Sequence, residues 1–124
     1  MKIRSMTKDM INYSTKIAKH LLLQRIWNEK TQTDIANVIG VTFQQVQKWE
    51  NAKNRITADQ LFALYDSMNW NIHSITREPE DLLDFYTNHK NPSDLYPEKA
   101  DFIKRKWSKV SMPKIATLTN EERI

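Results

Sequence analysis

The chain contains a single glycine, Gly40, in 124 residues. Loops that cradle the phosphates of nucleoside triphosphates or dinucleotides need several glycines, so that the backbone can approach the phosphate oxygens. Such loops cannot be built here. No alternation of period two appears, and no turn pair of the kind that joins hairpin strands. Neither proline nor glycine interrupts residues 1–39. The chain reads as all-α, and its length suits one compact domain with an appended element.

Other classes fall away on composition. There is no cysteine, which excludes disulfides, zinc fingers and thiol catalysis. No apolar run approaches membrane-spanning length. Lys2, Arg4 and Lys8 stand beside no apolar segment, so no secretory signal is expected and a cytoplasmic protein is the default. His20, His73 and His89 are scattered without a partner at i+3 or i+4, which does not suit metal ligation. The carboxylates between 78 and 84 suit a helix N-terminus rather than acid–base catalysis. No catalytic arrangement and no cofactor site is expected. The net charge is +4, and its distribution is uneven. Residues 1–76 hold ten Lys and Arg against six Asp and Glu, and residues 77–124 hold nine against nine. The whole basic excess lies in the first part, an electrostatic reason to consider nucleic acid.

Helix signals divide the chain. Residues 1–8 read as frayed; a helical stripe of Ile11, Ile17, Leu21, Leu22 and Ile26 begins near Asp9 and is expected to stop near Glu29. Thr31 with Asp34, Thr42 with Gln45 and Thr57 with Gln60 each have the spacing of a capping box and predict three helix starts. Gly40 ends the first of these helices. Leu61, Phe62, Leu64, Tyr65 and Met68 are the expected apolar face of the third. Ile72 and Ile75 suggest one more turn. Pro79 suits the first turn of a helix running to about His89. Asn91, Pro92 and Ser93 read as a loop, and Pro97 starts a helix to about Val110, with Phe102, Ile103, Trp107 and Val110 on its buried side. That side is expected against Leu82, Leu83 and Tyr86 of the same chain or across a dimer. Pro113 stops the helix, and Thr119 with Glu122 could cap one more. Lys104, Arg105, Lys106 and Lys109 read as the solvated face, with an added DNA contact as the alternative.

The informative stretch is Gln32 to Asn51. Two short helices meet at a tight turn. Two helices crossing steeply need a small residue at closest approach, which Ala36 supplies, and the turn needs positive φ, which Gly40 supplies. Ile35, Ile39, Val41, Val46 and Trp49 face a shared core. Phe43, Gln44, Gln45, Gln47 and Lys48 are left outward on the second helix.

The run from Lys30 to Ile56, KTQTDIANVIGVTFQQVQKWENAKNRI, resembles the helix-turn-helix of the phage repressor and Cro type, that is, Xre-like transcriptional regulators. The resemblance covers roughly Tyr13 to Ile75. It implies a five-helix, lambda-repressor-like DNA-binding domain over residues 9–76, followed by a helical extension over 77–124. It implies that the second helix of the motif, about 43–50, enters the major groove of double-stranded DNA with Phe43, Gln44, Gln45 and Lys48 towards base edges. Gln pairs bidentately with adenine, Lys favours guanine, and Phe43 can touch only a thymine methyl. Gln32 matches a phosphate-holding position, and Thr42, Asn51, Lys53, Asn54 and Arg55 would hold the backbone on the other side. Arg25 and Glu50 match an ion pair tying the first helix to the recognition helix. The family commonly has glycine where this chain has Glu29 and Ala52. Either those helix ends avoid a left-handed cap, or a non-glycine residue adopts it.

The expected function is a sequence-specific transcriptional regulator, a repressor acting as a homodimer on a near-palindromic operator with half-sites about 34 Å apart. The alternative is an antitoxin or phage-type adaptor whose residues 77–124 hold a protein partner.

Overall fold

The computed structural model describes the backbone of residues 2–88 and 96–110 and the side chains of 12–88 and 98–110. The elements are α1 (Lys2–Trp27), α2 (Gln32–Ile39), α3 (Phe43–Glu50), α4 (Ala58–Ser67), a 3-10 turn (Ile72–Thr76), α5 (Pro79–Asn88) and α6 (Tyr96–Trp107). Among the described residues there is no strand. The expected loop at Asn91–Ser93, the stop at Pro113, the cap at Thr119 and the side chain of Ile11 lie outside the described residues.

Local signals set most boundaries. Thr31 and Asp34 form a complete capping box, with the Asp34 amide donating to Thr31 Oγ1 over 3.0 Å and the Thr31 amide to Asp34 Oδ2 over 2.8 Å. Thr57 and Gln60 do the same over 3.2 and 3.0 Å. At Thr42 the expected box is half made. The Gln45 amide donates to Thr42 Oγ1 over 3.2 Å, but the reciprocal bond is missing, and the Gln45 carboxamide stays half-exposed. The hydroxyl alone satisfies one of the orphan amides that begin α3. The first helix starts at Lys2 rather than near Asp9. No residue in 2–8 breaks a helix, so straight-chain and apolar residues carry it toward the chain end.

Helix α1 has no solvent side over Leu21-Leu22-Leu23. Successive helical residues lie about 100° apart, so three in a row must meet more than one neighbour. Leu21 enters a core with Ile35 and Ala36 of α2, Val46 and Trp49 of α3, and Leu61, Leu64 and Tyr65 of α4. Leu22, Leu23 and Trp27 enter a second core with Leu82 and Leu83 of α5 and Ala100, Ile103 and Trp107 of α6. The side of α6 that carries Ile103 and Trp107 is therefore buried within the same chain. Tyr86 packs on this core, and its ring lies 5.5 Å from that of Trp27.

Expected core residues missing from both cores are Val110, which is half-buried beyond the end of α6, and two phenylalanines. Phe62 is 58% exposed and Phe102 39% exposed. Each sits next to a buried residue, Leu61 or Ile103, and one step along a helix turns a side chain out of the buried sector. The Phe102 ring lies under Arg105 and Lys106 at 5.6 and 5.3 Å.

Polar contacts join the extension to α1. Trp107 Nε1 donates to the Lys19 carbonyl over 3.1 Å, and Gln24 Nε2 donates to the Tyr86 hydroxyl over 2.6 Å. Lys16 pairs with Glu78 and Lys19 with Glu80 at 2.6 and 3.1 Å. His20, with no exposed surface, places Nε2 at 2.8 Å from the Arg77 carbonyl, so that nitrogen carries the proton. Its Nδ1 is buried without a partner, and burial holds the imidazole below its ordinary value.

Candidate nucleic-acid interface

The turn between α2 and α3 rests on Gly40, whose φ is +81°. Its amide and that of Val41 both donate to the Ala36 carbonyl, over 2.8 and 3.0 Å. Nothing lies within 4 Å of a Cβ added there, so glycine is required by the left-handed backbone and not by space. Ala36 itself is 3% exposed, as expected of the crossing point between packed helices.

Helix α3 is sharply two-sided. Val46, Trp49 and Glu50 are buried. Phe43, Gln44, Gln47 and Lys48 are exposed, and Gln45 is half-exposed. Gln44 and Lys48, four residues apart, share one stripe of the outer surface. Phe43 keeps 45% of its surface in solvent at the first position of the helix. An aromatic ring left open beside amides and a cation has no role in the core.

Glu50 anchors that face from behind. Its carboxylate accepts from Arg25 Nε over 2.6 Å and Arg25 Nη2 over 3.0 Å, a forked pair between α1 and α3. Gln32 Nε2, at the start of α2, donates to the same carboxylate over 3.2 Å. Three helices thus meet on one buried anion. The Gln32 carboxamide has a second N–H, which this bond does not use. Arg25 Nη1 also donates to the Lys30 carbonyl over 3.0 Å, holding the chain just before α2.

Behind α3 the chain turns sharply. The amides of Lys53 and Asn54 both donate to the Lys48 carbonyl, over 2.9 and 3.2 Å. Ala52 makes this possible at φ 60° with its methyl buried. Glu29 after α1 sits at φ 59°. Of the two possibilities left open by the missing glycines, the second holds: non-glycine residues take the left-handed conformation, at a cost of about 1 kcal/mol each. Lys53, Asn54 and Arg55 are exposed, Asn51 is half-buried, and Thr42 is exposed with its hydroxyl committed to the cap. Thr42 stands at the N-terminal end of α3, while Gln32, through Glu50, and Lys53, Asn54 and Arg55, which follow shortly after Glu50 in the chain, stand near its C-terminal end.

One contact near this face has no sequence signal beyond the acidic residue at position 29. Lys99 of α6 donates to the Trp27 carbonyl over 3.1 Å and pairs with Glu29 at 3.2 Å. Its ammonium also lies 5.0 Å from the Trp27 ring centroid. Among the described residues no cluster of His, Cys, Asp or Glu could hold a metal ion, and no helix is long and apolar enough to cross a membrane.

Residues 21–66 match the family model described as Helix-turn-helix. The match takes in the C-terminal part of α1 and all of α2 and α3. Two curated relatives are both from Sinorhizobium fredii (strain NBRC 101917 / NGR234). The uncharacterized HTH-type transcriptional regulator y4aM is 29% identical over 87 residues, which cover 69% of this chain and 61% of the relative. The uncharacterized HTH-type transcriptional regulator y4wC is 42% identical over 45 residues, covering 36% of this chain and 32% of the relative. The chain thus spans less than two thirds of either relative. No solved structure is matched.

Proposed function

We propose that this chain, which carries an Xre-like helix-turn-helix domain, is a sequence-specific double-stranded DNA-binding transcriptional regulator that represses as a homodimer on a near-palindromic operator. The observation that carries the reading is the two-sidedness of α3. Its inner residues are fixed by the core and by the Glu50 anchor, while Phe43, Gln44 and Lys48 stand outward with no structural task. An α-helix of this width fits the major groove. Phe43, Gln44, Gln45 and Lys48 read bases. Gln32, Thr42, Asn51, Lys53, Asn54 and Arg55 hold phosphates and set the register. The names of the two relatives, both HTH-type transcriptional regulators, support a regulatory role.

Selection from random duplex DNA with the purified chain tests this. Enrichment of a two-fold symmetric motif is expected, and no enrichment at low salt rejects the reading. On a selected site, Gln44→Ala should relax sequence preference. Arg55→Ala should weaken binding to every sequence and make the salt dependence shallower by about one phosphate contact. Equal losses on selected and scrambled DNA for Gln44→Ala would count against base readout.

A further inference from the structure

Helix α6 lies outside the matched helix-turn-helix segment, yet one of its side chains is seated on the corner that leads into α2. Helix α1 ends at Trp27, and the last carbonyls of a helix have no partner within it. Lys99 supplies one from outside: its ammonium donates to the Trp27 carbonyl and pairs with the Glu29 carboxylate, and its side chain is only 18% exposed. A cation at a helix C-terminus also opposes the negative end of the dipole. Glu29 is the left-handed residue of the corner, in a position where glycine would be unstrained. A glycine there has no carboxylate to offer Lys99. The corner is gripped on its other side by Arg25, which holds the Lys30 carbonyl and, through its fork, Glu50. Glu50 in turn accepts from Gln32, the first residue of α2. Polar contacts, joined by the backbone between Glu29 and Lys30, therefore link α6 to the N-terminus of α2 and the inner side of α3.

We infer that Lys99 is a positioning residue for the DNA-binding face: through Trp27 and Glu29 it clamps the α1–α2 corner, so that docking of the extension sets the placement of Gln32 and the start of α2. The inference rests on the DNA reading above and adds to it a role for the extension.

The test uses the full chain, with Lys99→Met and Glu29→Ala as variants. Lys99→Met removes both contacts and Glu29→Ala removes the ion pair, and alanine already occupies a left-handed position in this fold at Ala52. The two variants change the net charge in opposite directions. Charge alone predicts weaker DNA binding for Lys99→Met and tighter binding for Glu29→Ala. The clamp predicts that both weaken binding to random-sequence duplexes at low salt by about threefold, the size of one partly exposed charged contact. It also predicts faster hydrogen exchange in both at the amides of Glu29 and Lys30, with the Leu61 amide unchanged, and recovery of both properties in Lys99→Arg. Tighter or unchanged binding by Glu29→Ala, or unchanged exchange at the corner, overturns the inference. If the unaltered chain binds no duplex, the DNA reading fails by itself, and exchange at the corner still decides whether the clamp exists.

Discussion

The two sides of α1 are assembled on different terms. Toward α2, α3 and α4, each partner helix begins at a threonine cap, and a buried carboxylate joins three of the helices. Toward α5 and α6, the core of Leu22, Leu23, Trp27, Leu82, Leu83, Ile103 and Trp107 is apolar and is tied at its margins by single hydrogen bonds and surface ion pairs. The first side has its geometry specified by directional bonds, as a surface that must match another molecule requires. The second side has burial as its main support. The extension therefore contributes mainly stability, with the Lys99 contacts at the α1–α2 corner as its directional tie to the side whose shape is specified.

The sharpest way to break this comparison is to remove the extension. Truncation after Thr76 exposes Leu22, Leu23 and Trp27, each worth about 2 kcal/mol of burial, a sum comparable with the whole stability of a small domain. Residues 1–76 alone should lack a cooperative thermal transition by circular dichroism. A fragment that melts like the full chain would show the two cores to be independent.

Single changes on each side come next. Glu50→Ala leaves the Arg25 guanidinium without its partner in a mostly dry site and should cost about 3–5 kcal/mol in urea unfolding. Ile103→Ala opens a cavity in the second core and should cost about 3 kcal/mol. If α1 couples the sides, each variant should unfold in one transition whether followed at Trp49 or at Trp107. Separate midpoints would break the coupling. Only Glu50→Ala should also impair DNA binding under conditions where both variants remain folded.

Gly40→Ala has a smaller effect. No atom obstructs the added methyl, so the backbone alone resists it, at about 1 kcal/mol. A loss several times larger would mean that the turn cannot adapt as the corners at Glu29 and Ala52 do.

The mildest probe is pH. His20 is buried neutral between the two sides, bonded to the Arg77 carbonyl, with Lys16, Glu78 and Glu80 around it. Its folded value lies below the ordinary 6.5, so the unfolded chain takes up a proton first. Stability should be full above pH about 6.5 and should decline as pH falls below it. His20→Gln, which keeps a donor toward Arg77, should flatten that decline in thermal melts taken between about pH 7 and 5. An unchanged slope would show that protonation at His20 does not govern it.

The same contrast explains what the sequence discloses. The helix starts at Thr31, Thr42 and Thr57 and the turn at Gly40 are legible because each signal lies within three or four residues of the bond it makes. The outward row of α3 is legible because burial of Val46 and Trp49 leaves only one face for Gln44 and Lys48. The Phe62 and Phe102 rings are misplaced by sequence reasoning because apolar character does not say which sector of a helix is buried. The bonds from His20 to Arg77 and from Trp107 to Lys19 join residues 57 and 88 positions apart, and no local pattern encodes them. Glu29 looks like a mere departure from glycine until Lys99 is seen beside it.

The leucine triplet in α1 has one more consequence. A helix buried on one side can slip or gain a residue and still find water for its displaced face. Over residues 21–23, α1 has no such freedom, since Leu21 is held by one core and Leu22 and Leu23 by the other. One inserted residue upstream of Trp27 would turn the remainder by about 100° and unseat both cores together. The helix acts as a shared axle, so the length of α1 between Ala18 and Trp27 is fixed twice over, and changes in chain length are confined to the connections around it.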